Sequence, residues 1–378
     1  MRPLRFLVTG AVAALWCCSL AATPAEYAGL AGSKALAVVP GEPGTFGIAE
    51  GEANDLAAAL AALKTCEAHR LPGQAVCEIR RLNEETITSG EEIRADIPSG
   101  RHPLHLWRID GPRATVYLAG SVHILKPSLY PLPEAYESAF AASDKLVVEV
   151  NLAAHDPLEL QRKTLRYASL PAGVRLESAL PAPLLARLET SLARYGVPLS
   201  QVATVKPNFL MNQLVLLRLA TLGYQGEYGV EQHFLRKADG REVLELETID
   251  QQLSLLFDQP DAVQIQLLSD TLDQEPMFET LISGMITAWL AGDDERFMQM
   301  FEAQAGDSPT SRRFTEALLD DRNTGMVSRV KAFLHGQGTY FVLVGAAHLI
   351  GDKGIVALLE ADGIHAERAY APVRQDHP

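Results

Sequence analysis

The chain has 378 residues, with 33 basic against 47 acidic side chains and a formal charge of −14. That acidity excludes nucleic-acid binding by charge, because neutralising phosphates needs a basic face. The length corresponds to about two ordinary domains and is ample for a large core. Beyond the N-terminus no apolar run is long and clean enough to span a bilayer.

The N-terminus reads as a secretory signal: Arg2 and Arg5, an apolar run from Phe6 to Leu20, then small residues around Ala21 and Ala22. The run is shorter than the roughly 20 apolar residues of a membrane anchor. The expectation is therefore cleavage after Ala21, loss of residues 1–21, and an exported, periplasmic mature chain. Only Arg2 and Arg5 are lost as charges, which leaves a formal charge of −16. Cys17 and Cys18 leave with the signal, and Trp16 stands where a lipidated cysteine would need a small residue before it. Cys66 and Cys77 stay, and in an oxidising compartment a disulfide between them is expected.

Residues 22–101 read as a lead-in, a small helical hairpin and a linker. From Glu26 to Gly51 the composition is rich in Gly, Ala and Pro without a steady period, which suggests loose order. Ala53 to Lys64 has helical spacing, and Gln74 to Asn83 can form a second helix after Pro72-Gly73. Thr86 to Gly100, polar and punctuated by Pro98, reads as the linker.

Residues 102–378 read as the main domain. Leu104 to Ile109 alternates, Asp110-Gly111-Pro112 turns, and Thr115 to Ala119 is a mostly apolar strand running into Gly120-Ser121-Val122-His123. A helix from Pro133 to Ala142 and a buried-type strand from Lys145 to Val150 follow. The order strand, helix, strand predicts a parallel or mixed sheet. Pro157 to Arg313 is mainly helical, with Pro181, Pro207, Pro260 and Pro309 as helix starts. One strand, Glu242 to Leu246, interrupts it. A helix from Arg322 to Leu334 then leads to Tyr340–Val344, which ends in Gly345-Ala346-Ala347-His348, and a short helix and a strand, Glu367 to Tyr370, finish the chain. The fold class is α/β of the α+β kind: a mixed central sheet with a large helical insertion, preceded by a small N-terminal helical segment.

In such sheets ligands bind beyond the carboxyl ends of the strands. Three strands end in metal-binding groups, His123, Glu149 and His348, and a fourth ends at Glu247. Two imidazoles with one or two carboxylates suit a divalent metal, Zn, Mn, Co or Fe, with a position left for water. Glycine three residues before each histidine suggests a sharp turn off the strand and close backbone approach to the ion. As strings the two Gly-x-x-His motifs carry little weight, because 28 Gly and 10 His in this length give about 0.7 matches by chance. Their position after apolar runs distinguishes them from the other eight histidines, which read as polar or loop-like. Arg322, in Asp320-Asp321-Arg322-Asn323, reads either as part of a helix-capping cluster or as an anion stabiliser beside the metal. Glu231 reads as a first-turn helix acid, and Glu247 as a strand-end acceptor or a catalytic carboxylate.

Taken together, Gly120-Ser121-Val122-His123, Val147-Val148-Glu149-Val150-Asn151, Gly229-Val230-Glu231, Leu246-Glu247-Thr248 with Gln251-Gln252, Trp289 with Gly292-Asp293, Arg322-Asn323 and Gly345-Ala346-Ala347-His348 resemble, in order, the motifs of the TraB/GumN family, which includes the TIKI proteins. The resemblance spans Leu104 to Tyr370. It implies a fold related to erythromycin esterase-like and haem-uptake ChaN-like domains, with the two Gly-x-x-His motifs facing each other across a cleft. TIKI members are metal-dependent proteases, and others are linked to shutting down peptide pheromones. By that similarity His123, Glu149 and His348 carry the site, with Arg322 supporting. Asn151 and Glu231 depart from the family, which often has Asp at both positions, and leave the number of acidic ligands open. The favoured reading is an exported metal-dependent peptidase or amide hydrolase, with Glu149 or Glu247 as ligand or general base. The alternatives are a periplasmic protein that binds peptide or haem without chemistry, and a metal-free esterase using His123 as base. No Gly-x-Ser-x-Gly elbow supports a serine hydrolase.

Overall fold

The computed structural model describes residues 27–371, apart from 40, 54, 72, 75, 76, 87–96, 99 and 307. The expected signal sequence and most of the expected linker lie outside the described residues. The chain divides into two units, residues 1–85 and 86–378.

The first unit is a small sheet with one helix, and here the expected helical hairpin is corrected. Strands β1 (Ser33–Val39), β2 (Glu42–Glu52), β3 (Glu78–Leu82) and β4 (Glu85–Thr86) stand in the order β2-β1-β3-β4. The supposed lead-in supplies the first two, with Ala35, Leu36, Ala37 and Val39 buried. Alanines there hide the strand from a reading that looks for β-branched residues. The helix forms as Asp55–His69 and lies directly on β2: a Cβ on Gly47 would come within 2.1 Å of the Ala62 carbonyl oxygen. Among the described residues the expected second helix does not form, and β3 takes its place. Ile79 and Leu82, three apart and so consistent with a helix face, are both buried because the pairing of β1 with β3 shifts register between Leu36 and Ala37. Cys66 and Cys77 form the expected disulfide.

The second unit is mixed α/β, as expected. Its six-stranded sheet has the order β10-β5-β6-β9-β7-β8, built from β5 (Pro103–Asp110), β6 (Ala114–Ser121), β7 (Lys145–Val148), β8 (Glu242–Glu245), β9 (Gly338–Gly345) and β10 (Glu367–Tyr370). β5 and β6 form the antiparallel hairpin, with Leu106 opposite Ala119. β6, β9, β7 and β8 are parallel to one another. Leu118, Leu146, Val147, Phe341, Val342 and Leu343 are fully buried, as expected for continuous apolar strands covered on both faces. The insertion is helical, and Pro207 and Pro309 open their helices while Pro181 and Pro260 stand just before theirs. All four positions lack a backbone donor where a helix start needs none.

Candidate functional site

The parallel order β6-β9-β7-β8 brings four strand ends to one edge of the sheet. His123 follows β6, His348 follows β9, Glu149 follows β7 and Glu247 follows β8. The ladder continues past the last two strands, because the Glu247 N–H donates to the Glu149 carbonyl at 3.0 Å. His123, Glu149 and His348 line one cavity of about 750 Å³, much of whose lining is apolar, including Leu235, Leu255, Leu256, Met285 and Phe301; Glu247 is joined to it through Gln252 and Arg322, which also line it.

His348 is buried, in the short helix Ala346–Leu349. Its Nδ1 lies 2.7 Å from Asn323 Oδ1. The Asn323 amide nitrogen donates to the Lys353 carbonyl, so Oδ1 is the acceptor and the His348 proton sits on Nδ1. Nε2 is thereby unprotonated and presents its lone pair to the site as an acceptor, the form a metal ligand needs. Burial holds this imidazole well below its usual range, down to about 4, so the ring is neutral.

Glu149 is buried as well. Burial opposes its ionisation, yet the positive charge around it, with the Arg322 guanidinium in direct contact, and the Gly345 N–H hold it below the usual carboxylate range. The Gly345 N–H donates to Oε1 at 2.8 Å, and Gln252 bridges Glu149 and Glu247 at 3.2 Å each.

Arg322 does not cap its helix. Its guanidinium lies among these groups and uses all five donors: Nε to Glu247 Oε1 at 2.9 Å, Nη2 to Glu149 and Glu247 at 2.6 Å each, and Nη1 to the Leu318 carbonyl at 2.9 Å and His348 Nε2 at 3.0 Å. None of the five is left over for an oxyanion, which separates this geometry from the anion-stabiliser reading.

His123 is oriented from the other side. Its Nδ1 pairs with Glu231 Oε1 at 2.7 Å, and Ser121 Oγ donates to the same oxygen. The Glu231 carboxylate raises the His123 imidazole above its usual range, although the ring is 64% open to the cavity and the pair is partly screened. Gly229 makes this possible: a Cβ there would lie 2.1 Å from the His123 carbonyl oxygen, and the Val230 N–H donates to Val122. Glu231 therefore does more than favour a first helical turn.

The motif glycines act through space rather than through turning. Gly345 has an ordinary φ of −52°. A Cβ on it would touch Glu149 Oε1 at 3.5 Å and His123 Nε2 and His348 Cδ2 at 3.6 Å each, so this position brings both histidines and the carboxylate around one point. On Gly120 a Cβ would press on His105 and Ala346, at 2.9 and 3.1 Å. The Gly120 carbonyl is held by Trp289 Nε1 at 3.0 Å and Tyr136 Oη at 3.1 Å. Trp289 is tied in turn to His105, which is buried in β5, unlike the loop-like surroundings expected of it. His105 Nε2 lies 2.9 Å from Asp294, off a straight hydrogen-bond line, and Arg368 grips the same carboxylate at 2.7 Å with both Nη atoms. The left-handed Gly292 packs on Pro103 and ends the helix that carries Trp289.

The donor chemistry suits a divalent ion: two imidazoles fixed through Nδ1 and an ionised carboxylate. The arrangement is not a finished cage. Among the described residues no three His, Cys, Asp or Glu side chains group as a metal site, and His348 Nε2 and Glu149 Oε2 are 4.0 Å apart with Arg322 bonded to both.

The TraB/PrgY/gumN family model matches residues 105–368. The chain belongs to this family. As a TraB/PrgY/gumN member it is 24% identical to Metalloprotease TIKI1 of Danio rerio, over 78% of this chain and 69% of that one. No solved structure matches it.

Glu231 was read as a first-turn helix acid and Asn323 as part of a capping cluster, while Gln252 and Ser121 stood out only as members of the family motifs. Their roles depend on which strand ends are neighbours, which local spacing does not reveal.

Proposed function

We propose that this chain is a metal-dependent hydrolase acting on peptide or amide bonds, with His123, His348 and Glu149 as metal ligands. The observation that carries the reading is the row of His123, His348, Glu149 and Glu247 beyond four adjacent parallel strands, the first three of them lining one largely apolar cavity. The Danio rerio relative, by its name a metalloprotease, supports the same class.

A divalent ion held there, of the Mn, Co, Zn or Fe group, would supply a water of lowered pKa and polarise a carbonyl. The chain's own residues do the rest. Asn323 and Glu231 orient the two imidazoles, Gln252 and the Gly345 N–H hold Glu149, and Glu247 anchors Arg322. The apolar wall excludes water and receives apolar parts of a substrate. Export fits the Cys66–Cys77 disulfide, and no described helix is long and apolar enough to cross a membrane. In this reading residues 1–21 are a cleaved signal and the mature chain is periplasmic.

The test is a peptide library incubated with purified protein, with and without chelator, beside His123→Ala and His348→Ala. Chelator-sensitive cleavage lost in both variants is expected. Metal-free protein that binds peptide and never cleaves it would sink the hydrolase reading in favour of a binding protein; a Soret band on haem titration would identify a haem binder.

A further inference from the structure

We propose that Arg322 is a resident cation of this site: its guanidinium fills the seat between His348 and Glu149, and a divalent ion enters only by displacing it. The inference rests on the metal reading above and extends it to how the site is loaded.

Three observations carry it. The two atoms that a metal would need, His348 Nε2 and Glu149 Oε2, are both bonded to the one guanidinium, at 3.0 and 2.6 Å. The guanidinium is fully satisfied, with Glu247 and the Leu318 carbonyl taking its remaining donors, so it is held in place and not merely nearby. Its side chain also borders the cavity, which gives it somewhere to go. Charge favours the exchange: Arg322 places one positive charge against the carboxylates of Glu149 and Glu247, and a divalent ion would balance both. Metal affinity is then the intrinsic affinity reduced by the free energy of the bonds Arg322 must give up.

Calorimetric titration of the purified chain with Mn²⁺ alone separates displacement from charge repulsion. Arg322→Gln removes both the bonds and the charge. Arg322→Lys keeps the charge, but a compact ammonium with three donors cannot reproduce the five-bond fork. Both variants are expected to bind Mn²⁺ roughly tenfold or more tighter than the wild type, a difference of about 1.4 kcal/mol. A gain in the Gln variant with none in the Lys variant means simple repulsion and overturns the proposal, as does equal or weaker binding in both. If none of the three chains binds the ion, the metal reading itself fails. Should the Gln variant not fold, the Lys variant decides, together with a second measurement on the wild type. There the Arg322 Nε–H, protected from solvent exchange by Glu247, is expected to lose protection when Zn²⁺ is added; protection unchanged at saturating Zn²⁺ overturns displacement.

Discussion

Gly345→Ala adds one methyl where the structure leaves room for it but function does not. The backbone at Gly345 has φ −52°, which alanine adopts freely. The new Cβ would meet its neighbours at 3.5 to 3.6 Å, ordinary van der Waals contact. Folding should therefore be nearly unaffected, and the smaller entropy of the unfolded chain favours alanine by about 0.4–1 kcal/mol. Those neighbours, however, are Glu149 Oε1, His123 Nε2 and His348 Cδ2. A methyl touching all three crowds the point where the two imidazoles and the carboxylate meet, and metal affinity should fall by about 10- to 100-fold, the range for disturbing groups next to a ligand. Gly229→Ala is the contrasting control, because its Cβ would lie 2.1 Å from the His123 carbonyl oxygen and something must move. That variant should lose about 1–3 kcal/mol. The assay is the urea midpoint of each variant beside its bound metal after dialysis. A Gly345→Ala protein that keeps wild-type metal content refutes the placement of the site, whatever its stability.

Glu231→Gln removes the carboxylate that orients His123 and is expected to weaken metal binding by about 10- to 100-fold, while His348 keeps its Asn323 partner; unchanged affinity by calorimetry would show that Glu231 is only a helix acid. Asp294 is held below the usual aspartate range: burial opposes this, but His105 and Arg368 outweigh it. Its depressed folded value means that the unfolded chain binds more protons as pH falls through 3.8 and below, so its contribution is present above that range and lost beneath it. Asp294→Asn should accordingly show a flatter fall in urea midpoint than the wild type below pH 3.8, and parallel curves would contradict the pairing. Replacing both Cys66 and Cys77 by Ser opens a loop of 11 residues' separation, which is worth up to about 3 kcal/mol by the chain-entropy model. Hydrogen exchange of the β1 and β3 amides should report that loss, and unchanged protection would show that the bond is incidental.

The parts of the fold legible in the sequence were those whose signal is local. Tyr340–Val344 is a continuous apolar run bounded by glycines, and β9 formed there; the prolines at 181, 207, 260 and 309 marked helix starts. The first unit was misread where local signal and tertiary pairing disagreed. Ile79 and Leu82 carry a helix-like spacing that a register shift turns into two buried strand positions. For the candidate site, the positions of His123, His348 and Glu149 could be read because each follows its own strand. The five bonds of Arg322 could not, because they depend on β9 lying between β6 and β7 and on a helix start from 26 residues before His348 reaching that edge. His105 illustrates the same limit, since its partner Asp294 is far along the chain.

On the proposed reading, His123, His348 and Glu149 hold one metal ion that the activity requires. The most direct measurement is cleavage of a responsive peptide by the purified chain after chelation and again after adding back a single divalent ion, with metal content determined on the same samples. Activity is expected to be lost with the metal and restored at about one ion per chain, with neither metal nor activity in His348→Ala. Cleavage that survives chelation, or a metal retained after both histidines are replaced, would contradict it.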